Sequence, residues 1–427
     1  MFMDRNVKTL KEIETISRIR QNKLYKKLID KDTSLIFEDP LENDMVLNMG
    51  PQHPATHGVL RVVLRLDGET VINCVPELGY LHRGYEKLAE NCTFHEFIPH
   101  TDRLDYLSPM SNNVGIALAI EKALGIEAPP RAQWIRTLVA ELARISSHLM
   151  AMGSTCLDVG AVTMLLWTFT EREKLYDIFE LICGARFTTS YTRIGGVAND
   201  IPTEAIAKIK EWATQFPNEL AYFEKLVHRN RIFINRMAGV GIIEPQQAIQ
   251  LGLTGPVLRG CGIPRDLRRD EPYLVYDQLN FDVVTYSDCD SWSRYMVRID
   301  EMKESLKMVW QILDKMPEGE VSLKNKFVLP RKKDIYTKME ELINDFMLIN
   351  FGAMPEPGET YTAIEAPKGE LGFFIVSTGE GHPWKLKIRS PSASNLQGLP
   401  VMVEGSMIAD VVAIIGSIDP VMGEADK

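Results

Sequence analysis

Five long stretches, at 110–124, 131–152, 162–183, 204–227 and 300–316, place apolar residues three and four positions apart, the period of one helix face. Helices of this length bury their stripes most economically against one another, so the spacing predicts a helical bundle. Pro129 and Pro130 introduce the second stretch, where first-turn amides lack partners and proline is tolerated. Ahead of the helices, 45–47, 59–66 and 71–75 are rich in Val, Leu and Ile, with Asp67-Gly68 as the turn between the last two. Past Pro355 the pattern returns to strands at 360–365, 371–377 and 384–388, then to a helix at 407–415. The fold class expected is α+β, a long-helix bundle core with small antiparallel sheets from the N-terminal and C-terminal parts. Four regions follow: a charged extension at 1–44, an α+β region at 45–125, the bundle at 126–355, and an α+β region with a buried tail at 356–427.

With 427 residues, 45% of them hydrophobic, the chain can bury a large core. A net charge of −10 and the absence of a basic stripe argue against nucleic acid as a partner. The apolar run at 159–167 is too short to cross a bilayer and is soon followed by Glu171, Arg172, Glu173 and Lys174, so membrane association is expected to be peripheral. The six cysteines lie far apart with no C-x-x-C pair, which excludes the usual zinc and iron-sulfur spacings. They read as reduced, mostly buried thiols of a cytosolic protein. The segment 1–39 mixes acids with its lysines and arginines, unlike a transit peptide.

Chemistry is concentrated in the loop Gly50-Pro51-Gln52-His53-Pro54-Ala55-Thr56-His57-Gly58. Its glycines permit unusual backbone angles and its prolines fix φ, so His53 and His57 are presented on a stiff arm. An imidazole titrates near pH 6.5, within reach of cellular pH; composition alone would still make them solvated loop histidines. Asp158, just ahead of an apolar helix, either caps that helix or binds a histidine, capping being the commoner role. Tyr106, at the entrance to another helix, is a phenol donor or a core residue. The closing segment 419–427 has no spare tail, which suggests that it is packed. P-loop, G-x-G-x-x-G, G-x-S-x-G and H-E-x-x-H signatures are absent.

From about Met45 onward the chain resembles the large, hydrogenase-like subunit of the proton-pumping NADH:quinone oxidoreductase, respiratory complex I. The resemblance rests on the histidine loop, on Gly79-Tyr80-Leu81-His82-Arg83-Gly84, on Arg193-Ile194-Gly195-Gly196-Val197, on Glu365-Ala366-Pro367-Lys368-Gly369-Glu370 and on the closing Asp419 to Asp426. That family is similar in turn to the large subunit of nickel-iron hydrogenases, whose metal is held by paired cysteines. The matching positions here are Asp105, Ser108, Val421 and Glu424. None is a thiolate, so no metal is implied.

The resemblance implies a quinone as substrate, with His57 and Tyr106 as hydrogen-bond partners of its headgroup and Asp158 pairing with His57. It implies that Arg83 lies near the 4Fe-4S cluster of an adjacent subunit, and that NAD and FMN sit on other subunits, since this chain has no thiolate cluster or flavin motif. Partners implied are that terminal-cluster iron-sulfur subunit, the C subunit and the quinone-channel membrane subunit, at the cytoplasmic side of a bacterial inner membrane. One departure stands out: Thr188 occupies the place where the family has a histidine near the cluster, which predicts a weakly pH-dependent cluster potential. At the end, Asp426-Lys427 stands where Asp-Arg is common. Two rivals remain: the same role in a ferredoxin- or deazaflavin-fed membrane oxidoreductase, and a non-catalytic hydrogenase-like scaffold.

Overall fold

The computed structural model describes residues 45–427, and the charged extension expected at 1–44 lies outside the described residues. Strands β1 (Met45–Met49), β2 (Arg61–Asp67) and β3 (Thr70–Glu77) form an antiparallel sheet in that order, with Leu47 opposite Leu64 and Leu64 opposite Cys74. Its buried face, Met49, Val62, Leu64 and Leu66, needs a second apolar layer. The C-terminal part of the chain supplies it with Val411, Ile414, Ile418 and Met422.

Helix α1 (Phe94–Thr101) opens with a capping box, in which Thr93 Oγ1 accepts from the Glu96 amide and Glu96 accepts from the Thr93 amide. Then follow α2 (Pro109–Leu124), α3 (Pro130–Asp158), α4 (Val162–Cys183), α5 (Thr203–Val227) and α6 (Ser291–Lys315). Further on come α7 (Met339–Phe351), a second antiparallel sheet of β4 (Gly358–Ala366), β5 (Gly369–Ser377) and β6 (Lys385–Arg389), and α8 (Ile408–Ile418). The result is the expected α+β architecture, a helical core flanked by two small three-stranded sheets.

Helix α3 is the axis. α4 and α6 pack along it, and α2 and α8 touch it from other sides. Leu138, Leu142, Ile145 and Leu149 of α3 meet Leu175, Ile178 and Phe179 of α4 and Ile299, Met302 and Val309 of α6. α2 bridges to the second sheet, where Ile116 and Ile120 pack on Ile364, Leu371 and Phe373.

Because α3 is surrounded, its polar residues are buried too, and they must be paired. Arg136 bonds Glu121 and the carbonyls of Arg193 and Gly196, and Glu121 also accepts from the Gly195 amide. That contact explains the Arg193 to Val197 block as a structural clasp. Glu141 accepts from Tyr276 at 2.6 Å and lies 3.3 Å from Arg268. Arg259 pairs with Glu301 and Glu365, each at 2.7 Å.

Two helices depart from the expected elements. α6 begins at Ser291, well before the expected 300, because buried Arg294 and Arg298 interrupt the apolar period. Their guanidinium groups are engaged by Ser417 Oγ and by the carbonyls of Ser417 and Ile418. α7 does carry an apolar period, at 339, 342, 343, 346 and 347, but is not among the helices expected; Ile343, Phe346, Ile349 and Phe351 are exposed and Leu348 is its buried residue. The six cysteines are unpaired, with Cys74, Cys156, Cys261 and Cys289 buried. Among the described residues, no helix is long and apolar enough to cross a membrane.

Candidate functional site

The histidine loop joins β1 to β2. Within it Pro54–Thr56 make a single 3-10 turn, and His53 caps that turn, its Nδ1 accepting from the Ala55 amide at 3.2 Å. Thr56 Oγ1 donates to the His53 carbonyl at 2.8 Å. His53 is therefore an exposed structural cap, while His57 ends the turn in the left-handed region at φ 51°. A bridge between His53 and Gly58 closes the loop on itself. Each of these contacts removes freedom from the backbone that carries His57.

His57 Nε2 lies 2.7 Å from Asp158 Oδ2, and both side chains are nearly buried. Asp158 is the last residue of α3, and the position preceding α4 is Ala161, which provides no side-chain cap. Of the two roles open to Asp158, capping or binding a histidine, the carboxylate takes the second. Helix α8 covers the pair through Gly416, where an added Cβ would stand 2.7 Å from Asp158 Oδ2. Burial disfavours a charged imidazole, but the Asp158 hydrogen bond and charge outweigh it. Asp419 adds to them, Lys368 opposes, and the net pKa of His57 is raised.

Asp419 terminates α8 in the left-handed region at φ 56°. Its carboxylate pairs with Lys368 Nζ at 2.6 Å, and the same ammonium donates to Ser147 Oγ of α3 at 2.6 Å. Tyr106 has Asp419 as a charged neighbour as well. Burial first, then Asp105 and Asp419, push its phenol above the ordinary value, so it keeps its proton. Among the described residues no hydrogen bond joins Tyr106 to His57 or Asp158. The three candidate residues are thus one contact pair and one separate donor, with Asp419 common to both.

The two segments matching the hydrogenase ligand motifs do come together. Gly423 packs so closely on 103–106 that a Cβ there would be 2.5 Å from the Leu104 carbonyl oxygen and 3.4 Å from the Tyr106 ring. Ser108 donates to Asp105 at 2.5 Å, and Glu424 accepts from Ser392. Burial, with the Asp105 carboxylate nearby, pushes Glu424 up to about 8. Among the described residues no group of three or more His, Cys, Asp or Glu is placed to hold a metal ion.

Arg83 stands apart from this interior. It is exposed, with its guanidinium 5.7 Å from the Tyr85 ring, and Tyr85 in turn donates to the Arg103 carbonyl. Its loop is tied down by the buried end of the chain, where Asp426 accepts from the amides of Gly79 and Leu81 at 2.8 and 2.7 Å. Lys427 reaches Glu86 at 3.7 Å. Thr188 is half-buried beside Phe187, whose ring lies 6.3 Å from that of Tyr106.

Lys368 and Asp419 lie in two of the blocks that carry the resemblance, with no role implied for either. The available signal was a lysine held between Pro367 and Gly369 and an aspartate ahead of Pro420. Ser147 and Arg172 carried no local signal, since each lies on a helix whose pattern accounts for it.

The family model for the 49 kDa subunit of respiratory-chain NADH dehydrogenase matches residues 158–427. A D subunit of NADH-quinone oxidoreductase from Chloroherpeton thalassium is 58% identical over 413 residues, covering 96% of this chain and 94% of that protein. The D subunit from Salinibacter ruber is 53% identical over 391 residues, 91% of this chain and 87% of the relative. A D subunit from Rhizobium meliloti is 50% identical over 386 residues, 90% and 96% respectively.

Proposed function

The chain belongs to the family of the 49 kDa subunit of respiratory-chain NADH dehydrogenase, and on that premise we propose that it is the quinone-site subunit of a proton-translocating NADH:quinone oxidoreductase, active only within the complex. Reduction of a quinone to its quinol takes two electrons and two protons, converting both carbonyl oxygens to hydroxyls. The electrons come one at a time from NADH through an iron-sulfur cluster on the adjacent subunit. This chain supplies hydrogen bonds and protons.

The observation that carries the reading is the His57–Asp158 contact at 2.7 Å on a loop with little freedom. A raised pKa keeps the imidazole protonated to higher pH than in solution, and Asp158 fixes its orientation. Tyr106, with its own proton retained, is the second donor to the headgroup. A positioned donor of this kind commonly contributes about 10² to 10⁴ in rate. Arg83, exposed beside the Tyr85 ring, faces the cluster-bearing subunit, where its charge favours the reduced cluster. Thr188, which does not titrate, leaves that cluster's potential weakly dependent on pH; a slope near one proton per electron in a redox titration would refute this.

The setting also includes the C subunit and the quinone-channel membrane subunit, with NAD and FMN on other chains and the whole held at the cytoplasmic face of the membrane. The names of the relatives favour NADH as donor over ferredoxin or a deazaflavin, and co-purifying subunits decide the matter. In the assembled complex, His57→Ala and Tyr106→Phe are expected to lower NADH-driven quinone reduction while NADH still reduces the iron-sulfur clusters. Unchanged turnover with short-chain quinones would remove both residues from the site and favour the scaffold reading.

A further inference from the structure

Arg172 of α4 is buried and sparsely bonded. Its Nε donates to Ser146 Oγ at 3.1 Å, and its guanidinium carbon lies 5.5 Å from the Phe169 ring and 5.0 Å from the Tyr176 ring. Nη2 is buried without a hydrogen-bond partner. Among the described residues no carboxylate comes within ion-pair distance of it, although Asp105 and Asp419 are charged neighbours. A buried guanidinium with an idle donor and no contact counter-ion costs free energy. Arg136, Arg144, Arg259 and Arg268 each have a carboxylate within 4 Å. Arg294 and Arg298, which have none, are held by hydroxyl and carbonyl oxygens through all-buried networks, whereas Ser146 is the one hydrogen-bond partner of Arg172 among the described residues. The cost is offset if an anion arrives during function.

Its position fits such an event. The Tyr176 ring beneath the guanidinium meets Phe187 edge-on at 6.4 Å, and Phe187 meets Tyr106 at 6.3 Å. The three rings form a continuous wall, and Arg172 is itself a charged neighbour of Tyr106. Two aromatic faces and one serine hold the cation in place before any ligand comes.

We propose that Arg172 stabilises the negative charge that reduction places on the quinone headgroup beside Tyr106. Each electron delivered by the neighbouring cluster adds one negative charge to the headgroup, and each proton taken up cancels one. Between the two, a fixed buried cation lowers the energy of the charged species more than that of the neutral quinone. The signature is therefore in turnover and not in quinone affinity. This inference rests on the quinone-site reading above.

The test uses the assembled complex carrying R172M, which keeps the length and apolar stem of the side chain, and R172K, which keeps the charge. NADH-driven reduction of a short-chain quinone is expected to show kcat lowered about 10²-fold in R172M, KM within about twofold of the parent, and most of kcat regained in R172K. Parental kcat in R172M, or a loss expressed in KM alone, overturns the proposal. So does a loss that R172K fails to restore at all. If R172M does not assemble, Ser146→Ala releases Nε instead; a few-fold fall in kcat at constant KM is expected, and parental kcat overturns the proposal. His57→Ala measured alongside separates the two readings: parental turnover there removes the quinone site itself, whereas impaired turnover with a parental R172M removes only the role of Arg172.

Discussion

Two histidine–carboxylate pairs lie along the same helix and behave in opposite ways. At the end of α3, Asp158 meets His57 at 2.7 Å; ten residues earlier, His148 meets Glu301 of α6 at 2.9 Å. Contact distance alone would make them equivalent. Yet the pKa of His57 is raised, while that of His148 is pushed down to about 4. Burial is the largest influence on both and lowers both. Around His57, the remaining groups are two carboxylates, Asp158 and Asp419, and one lysine, Lys368. Around His148, Glu301 is already claimed by Arg259 at 2.7 Å, and Arg144 and Arg298 add further positive charge. A carboxylate holds a proton on imidazole only where no arginine has taken it first. The core pair is thus a neutral imidazole bonded to an ionised carboxylate inside an ion network, and the loop pair is a proton-holding one.

The sharpest way to break this contrast is to remove the core carboxylate. Glu301→Ala leaves Arg259 and His148 facing each other without it, a defect expected to cost about 3–5 kcal/mol. Little assembled complex should remain on native gels, and parental amounts would mean that the network is dispensable. Next comes His148→Gln. A buried neutral histidine weakens the fold as pH falls from its unfolded value near 6.5 toward about 4, because the unfolded chain takes up the proton first. The variant should recover on the order of 3 kcal/mol at the acid end, seen as a flatter dependence of the thermal midpoint on pH. The loop pair has the opposite sign: with a raised pKa, His57 contributes stability that is fully present below about pH 6.5 and is lost as pH rises through its folded value.

Asp158→Asn is expected to leave assembly intact and to lower quinone reduction by about 10²-fold. Without the carboxylate His57 releases its proton more readily, so the part of the pH–rate profile governed by that imidazole should move to lower pH. An unmoved profile would sever the pair from catalysis, and loss of the complex would restore a structural role for Asp158. The smallest effect is expected from Gly416→Ala. Its methyl would stand 2.7 Å from Asp158 Oδ2, so the pair must shift, with about 1 kcal/mol lost in stability and turnover reduced a few-fold while the His148 region is untouched.

Much of this architecture was legible in the sequence. α4 spans the expected 162–183, as its apolar period dictates, and β5 covers 371–377 with two residues to spare. The start of α6 was hidden because Arg294 and Arg298 are interior residues that look exterior in a hydropathy pattern. α7 carries an apolar stripe at 339, 342, 343, 346 and 347 opposite Glu340, Glu341, Asn344 and Asp345, a readable helical period that is absent from the expected elements. For the site, the stiffness of the loop and the candidacy of His57 could be read locally. The contact of Asp158 with His57 could not, since the two residues are 101 positions apart and only the fold brings them together. Likewise nothing near Arg172 in the sequence separates an arginine with no contact carboxylate from the paired ones.

The continuity of α3 between His148 and Asp158 restricts how relatives of this chain can diverge. Each residue of an α-helix advances about 1.5 Å and turns about 100°. Deleting or inserting one residue between the two would swing Asp158 away from His57 while His148 stayed in place against Glu301. This stretch can therefore accept substitutions but not changes of length. Gaps in any alignment of functioning relatives are expected to fall outside 148–158.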